Sequence, residues 1–102
     1  MHEFKDFGLT FTISKTEKVD QQLLNDFYSE LSEVDKDLIL YYKNLNFEME
    51  SYYIIKSSEK AIGYARIVIE KLYANLFEIF ISSDFRELGL GSKLLNYIIE
   101  DL

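Results

Sequence analysis

The sequence predicts one α+β domain with its elements in the order β-α-α-β-β-β-α, and three observations carry that prediction. Apolar residues recur at helical spacing in two stretches, Val19 to Leu31 and Leu90 to Leu102. Three runs rich in branched and aromatic residues, Tyr52 to Lys56, Ala61 to Glu70 and Leu76 to Ile81, follow one another across short polar turns. The last run then leads through Arg86-Glu87-Leu88-Gly89-Leu90-Gly91 straight into the second helical stretch. At 102 residues the chain makes a single domain, large enough to bury about 60–65% of its unfolded surface.

Taken in order, Leu9 to Ser14 alternates well enough for a first strand, with Gly8 before it and His2 at a frayed terminus. Lys15 to Lys18 is a polar connection. Val19, Leu23, Leu24, Phe27, Tyr28 and Leu31 lie on one face of a helix over Val19 to Leu31. Ser32-Glu33-Val34-Asp35 has the form of a second helix start, with Ser32 as the N-cap. That helix carries Leu38, Ile39, Tyr41, Tyr42 and Leu45, although no proline separates the two and one bent helix fits as well. Asn44 to Glu50 is a polar loop.

Tyr52 to Lys56 is the next strand, Ser57 to Lys60 a turn, and Ala61 to Glu70 a longer strand. Gly63 inside it marks a bulge or a close backbone contact. Lys71 to Asn75 turns the chain into Leu76 to Ile81, whose apolar run predicts a largely buried central strand. Polar Ser82, Ser83 and Asp84 end it. In the last helix Leu90, Leu94, Leu95, Ile98, Ile99 and Leu102 form a core stripe, while Tyr97 falls on the polar side.

Composition narrows the chemistry. Eight Phe and eight Tyr among 48% apolar residues exclude a disordered chain. Without cysteine there is no disulfide framework, thiolate metal site or thiol nucleophile, and one histidine leaves zinc or histidine chemistry no material. No leader or membrane-spanning run is present, so a cytoplasmic protein with no membrane association is expected. A formal charge of −7 argues against nucleic acid as a partner and favours basic ones, such as amines and lysine-bearing peptides.

The strand–turn–helix unit is the candidate site. A helix start leaves backbone N–H groups unpaired at the positive end of the helix dipole, and glycine lets a ligand come close. The physical expectation is an anion, most often a phosphate, at that terminus. The plain alternative is that Gly89 and Gly91 only permit a tight turn. A dinucleotide fingerprint would need glycine where Leu94 stands, and a P-loop would need lysine where Ser92 follows Gly91.

Arg86-x-x-Gly89-x-Gly91 directly after a strand resembles the acetyl-CoA signature of the GNAT (Gcn5-related N-acetyltransferase) superfamily, Gln/Arg-x-x-Gly-x-Gly/Ala. Ile79-Phe80-Ile81-Ser82-Ser83-Asp84-Phe85-Arg86 follows the family's preceding run in register, with serine for the common proline and phenylalanine for the common tyrosine. Ile62-Gly63-Tyr64-Ala65 also resembles the family's third strand. The resemblance implies a mostly antiparallel sheet with helices packed on it, and a chain that stops after the signature helix, before the family's C-terminal strands.

It further implies transfer of an acetyl group from acetyl-CoA to a primary amine of a small molecule, a lysine or a protein N-terminus. By that likeness the backbone of Leu88, Gly89, Leu90, Gly91 and Ser92, with Glu87 in the same loop, would cradle the coenzyme A pyrophosphate. Arg86 would add charge or brace the loop, and main-chain groups of Ile79, Phe80 and Ile81 would pair with the pantetheine arm. Glu78 is the candidate base, one residue before Ile79; period-two alternation puts it on the face of Leu76 and Phe80, and apolar neighbours would raise its pKa. The loop departs from the family where Glu87 replaces glycine or a basic residue and Leu88 replaces a long polar one, which predicts weaker cofactor binding. The other reading is a non-catalytic binding module, a homodimer through an exposed sheet edge. An unrelated α+β interaction protein is the third.

Overall fold

Five strands make one antiparallel sheet in the order β1-β2-β3-β4-β5 in the computed structural model, which describes residues 1–16, 20–30, 50–70 and 73–102. They are β1 (His2–Asp6), β2 (Leu9–Thr16), β3 (Glu50–Ser57), β4 (Lys60–Glu70) and β5 (Tyr73–Ile81). Helix α1 (Gln21–Ser29) follows β2, and helix α2 (Leu90–Asp101) follows β5 across a 3₁₀ turn at Ser83–Phe85. The α+β antiparallel architecture is the one the sequence predicts. The expected second helix, its Ser32 cap and the loop before residue 50 lie outside the described residues. So do Val19 and Leu31 at the ends of the first helix, while Glu50 opens β3 instead of closing a loop.

The N-terminus is not frayed. His2–Asp6 pairs with β2 through a two-residue turn in which Phe7 and Gly8 both take positive φ, 53° and 73°. The Asp6 carboxylate accepts from the Phe7 N–H at 3.0 Å, which fixes a turn that Gly8 alone only half specifies. His2 stacks on Phe4 and on Tyr97 of α2, with ring centroids 5.8 and 5.4 Å apart.

Each face of the sheet carries one helix. On one face Phe11, Ile13, Tyr53, Ile55 and Ile67 bury Leu90, Leu94 and Ile98 of α2. On the other, Ile54, Tyr64 and Phe80 bury Leu23 and Leu24 of α1. Asp20 starts α1 by accepting from the Leu23 N–H at 3.0 Å, as an N-cap does.

Two register shifts decide which residues face which core. One, at Ile55/Lys56, leaves Ile62 as the extra residue of β4. The glycine that follows is tightly enclosed: a Cβ on Gly63 would stand 2.7 Å from the Phe80 carbonyl oxygen and 2.5 Å from Ile81 Cδ1. This is the close approach the sequence predicts. The other shift, at Arg66/Ile67, skips residue 77, so Arg66 pairs with Glu78 while Ile67 pairs with Leu76. Unbroken alternation is therefore wrong here, and Leu76 leaves the face that Glu78 and Phe80 share.

The expectation of a largely buried last strand also needs correction. As the edge strand β5 leaves Leu76 43% and Ile79 37% exposed, because no described strand lies beyond it. The apolar stripe of α2 is likewise narrower than predicted. Lys93, Tyr97 and Asp101 turn one flank toward β1 and β3, and Gly91 turns the opposite flank toward Ile81 of β5. Ile99, on the Gly91 flank, is 63% exposed, and the terminal Leu102 56%. No helix among the described residues is long and apolar enough to cross a membrane.

Candidate functional site

The site begins where β5 leaves the sheet. The Ser82 N–H donates to the Ile62 carbonyl at 2.7 Å and closes the β4–β5 ladder. In an antiparallel pair the hydrogen-bonded residues alternate. The main-chain groups of Ser82, Phe80 and Glu78 therefore point toward β4, and those of Ile81 and Ile79 point to the open edge. The Phe80 carbonyl beside Gly63 agrees with this. Of the three residues expected to offer main-chain groups, Ile79 and Ile81 turn theirs to this edge, where the Ile81 carbonyl is taken by Arg86, whereas Phe80 spends its own on β4 and contributes its ring to the α1-side core.

The loop from Ser82 to Gly89 is held by its apolar residues. Phe85 and Leu88 are half-buried against the α2-side core, and the Phe85 ring stands edge-on to Phe11 at 6.5 Å. Leu88, where the resemblance favours a long polar residue, thus anchors the loop. Glu87 is exposed and takes a left-handed φ of 64°, a conformation that costs a non-glycine residue about 1–2 kcal/mol.

Gly89 is the N-cap of α2 at φ 76°, and no side chain caps the helix. A Cβ on Gly89 would meet nothing within 4 Å. Backbone conformation, not space, is what requires glycine here. The first helical hydrogen bond runs from the Lys93 N–H to the Gly89 carbonyl at 3.1 Å. The N–H groups of Leu90, Gly91 and Ser92 consequently lie before the intrahelical ladder, at the positive end of the helix dipole. A Cβ on Gly91 would stand 4.0 Å from Ile81 Cγ1, which sets this helix start beside the open end of β5. These donors and the edge groups of Ile79 and Ile81 match a ligand with an anionic group at one end and an amide-bearing arm at the other.

Both nearby cations are already engaged. Arg86 donates from Nε to the Ile81 carbonyl at 2.7 Å and from Nη2 to Glu30 Oε2 at 2.6 Å, with its guanidinium 5.4 Å from the Phe80 ring centroid. Lys93 Nζ reaches Asp6 Oδ2 at 2.8 Å and stands 4.7 Å from the Phe4 ring centroid. Glu30 is the site residue that sequence reasoning missed. It lies 56 positions from Arg86 just past the end of α1, and nothing local to either residue signals the pairing.

Glu78 is separate from this cluster. It is buried on the α1 side of the sheet, where Tyr64 donates its hydroxyl to Oε2 at 2.8 Å and Arg66 Nη1 stands 3.4 Å from Oε1. The apolar surroundings expected for it are replaced by an ion pair and a phenol. The sequence signal was present in Arg66 and Tyr64 on the neighbouring strand, but only the register brings them opposite Glu78 and Phe80. On the same side an open cleft of about 530 Å³ runs between α1 and the end of β5, with Asp20, Asp26, Glu30 and Asp84 among its walls and Lys60 at its rim.

A family model described as Acetyltransferase (GNAT) family matches residues 17–102. Among curated proteins none matches. Solved structures do. The ribosomal-protein-S18-alanine N-acetyltransferase from Escherichia coli superposes with a TM-score of 0.67 at 23% identity, over 89% of this chain and 58% of that one. The aminoglycoside acetyltransferase meta-AAC0020, from an uncultured soil metagenomic sample and in complex with sisomicin, gives 0.60 at 17% identity, over 88% and 68%. The aminoglycoside N-acetyltransferase AAC(6')-Iy in complex with CoA gives 0.56 at 18% identity, over 95% and 72%. At these identities the likeness is one of fold, and the chain spans little more than half the length of the first.

Proposed function

This chain belongs to the acetyltransferase (GNAT) family, and on that premise we propose that it binds acetyl-CoA and serves transfer of the acetyl group to a primary amine. The observation that carries this reading is the uncapped start of α2 opening beside the unpaired end of β5, with Gly89 left-handed between them. The N–H groups of Leu90, Gly91 and Ser92 would hold the pyrophosphate, each charge-assisted hydrogen bond contributing about 1.5–3 kcal/mol. Ile79, through its outward N–H and carbonyl, and Ile81, through its N–H, would pair with the pantetheine arm. Arg86 braces the loop through Ile81, and Leu88 anchors it. When bound, the cofactor supplies an acetyl group activated as a thioester.

The acceptor is a primary amine on a small molecule or a protein, in the cytoplasm. The support is the charge of −7 and the carboxylates along the cleft beside α1; a cationic acceptor would be drawn there. Glu78 is the residue we assign to take the amine proton, its carboxylate oriented by Tyr64 and Arg66. With Glu87 at the cradle and both cations paired, cofactor affinity should fall below that of a member with a basic loop.

Calorimetric titration with acetyl-CoA at low salt tests the reading. Binding should saturate near one per chain and vanish in Gly89→Val, whose circular dichroism should match the wild type. Equal affinity in Gly89→Val would remove the cradle from the argument. Glu78→Gln should retain binding and lose acetyl transfer; retained turnover would release Glu78 from its role. A second reading, a non-catalytic module that dimerises through β5, is favoured by the exposed Leu76 and Ile79 on an open strand. Light scattering that returned a stable dimer, with no acetyl-CoA binding, would favour it.

A further inference from the structure

We infer that Glu30 sets the affinity of the anion site by competing with the cofactor's diphosphate for Arg86, and this rests on the acetyl-CoA reading of the loop. Ile81 is the shared neighbour that brings the two together. Its carbonyl accepts from Arg86 Nε at 2.7 Å, and its side chain lies 4.0 Å from where a Cβ of Gly91 would stand. The guanidinium is thus pinned by one nitrogen at the end of β5, whose Ile81 also meets the first turn of α2, and turned by another, Nη2, over the Phe80 ring toward the Glu30 carboxylate at 2.6 Å. A guanidinium presents a planar fork that suits a carboxylate and a phosphate equally well. With Nε held by Ile81, a diphosphate and Glu30 must share the remaining N–H donors and the single charge of one guanidinium.

The pair is also exchangeable. Both side chains are about two-fifths exposed, so water can replace either partner and the attraction is of the weak, salt-screened kind. Glu30 lies just past α1 and lines the cleft on that side. An arriving diphosphate that takes Nη2 therefore frees a carboxylate at the wall of the cleft. Occupancy of the anion site and the charge facing an amine in the cleft become linked through one guanidinium.

The experiment is titration of coenzyme A into the wild type, Glu30→Gln, Glu30→Ala, Arg86→Gln and the double variant Glu30→Gln/Arg86→Gln. At low salt Glu30→Gln should bind about twofold to fivefold more tightly than the wild type. Glu30→Ala should tighten it at least as far, since no residual hydrogen bond holds Nη2. Arg86→Gln should bind more weakly, and in that background the Glu30 substitution should have no further effect. Wild-type saturation with unchanged or weaker binding by both Glu30 variants overturns the competition and leaves the cofactor reading standing. An equal gain with and without Arg86 also overturns it, because the carboxylate would then act on the anion directly. If no variant saturates, the cofactor reading fails and the inference falls with it.

Discussion

At one edge of the sheet, β1 carries Glu3, Lys5 and Asp6 and is tied to α2 by the Lys93–Asp6 ion pair and the His2–Tyr97 stack. At the other edge, β5 presents Leu76 and Ile79 to solvent, and the single charge between Tyr73 and Ile81, Glu78, is turned inward. Charged, cross-tied edges resist addition of another strand, whereas an apolar and untied edge invites it. The contrast separates structure from use. Among the described residues, the β1 edge is closed by the chain's own side chains, and the β5 edge meets no further strand.

The largest effect should come from the contact that holds β5 in place. Gly63→Ala puts a methyl group against the Phe80 carbonyl and should cost about 1–3 kcal/mol in denaturant titration; a neutral result would mean β5 moves freely against β4. On the closed side, Tyr53 donates to Asp101 Oδ2 at 2.7 Å, and burial together with that carboxylate pushes the phenol pKa well up. Tyr53→Phe should cost about 1 kcal/mol at neutral pH. Because the fold favours the neutral phenol, wild-type stability should fall as pH rises above about 10, where the unfolded tyrosine ionises. The phenylalanine variant should lack that limb, and equal alkaline curves would contradict the assignment.

Smaller effects test the edges directly. Leu76→Lys should leave stability within about 0.5 kcal/mol and abolish any self-association seen by light scattering; a loss of stability would show that Leu76 is core after all. The weakest expectation concerns Asp6. The hydrogen bond from Lys93 holds its carboxyl below 3.8, helped by the lysine charge and the Phe7 N–H. Such a group stabilises the fold above its unfolded pKa and loses that contribution as pH falls through the lower folded value. Asp6→Asn should therefore lower the thermal midpoint slightly at neutral pH and flatten the acid limb from about pH 4 downward, the two curves converging at low pH.

Periodicity carried most of the fold. Leu23 and Leu24 on α1, Leu94 and Ile98 on α2, and the enclosed Gly63 are where their spacing or chemistry predicts. Other features escaped because they depend on pairing, which one sequence does not state. The β1 hairpin was hidden by charged residues alternating with Phe4 and by a turn with Phe7 at positive φ. The skipped residue 77 broke an alternation that looked uninterrupted, and so misassigned Leu76. The site divides the same way. The loop from Arg86 to Gly91 was legible because its glycine spacing is local, while Arg86–Glu30 and Tyr64–Glu78–Arg66 join residues brought together only by the sheet.

Arg86 has one more consequence for the open edge. Its Nε covers the Ile81 carbonyl, and at the other end the register breaks at residue 77. Between those two stops the outward main-chain groups in regular pairing are the Ile79 N–H and carbonyl and the Ile81 N–H. The edge is therefore a short berth with a wall at each end. A full-length strand running past Ile81 would have to evict the guanidinium, whereas a slender amide-bearing chain of a few bonds could dock and leave it where it is.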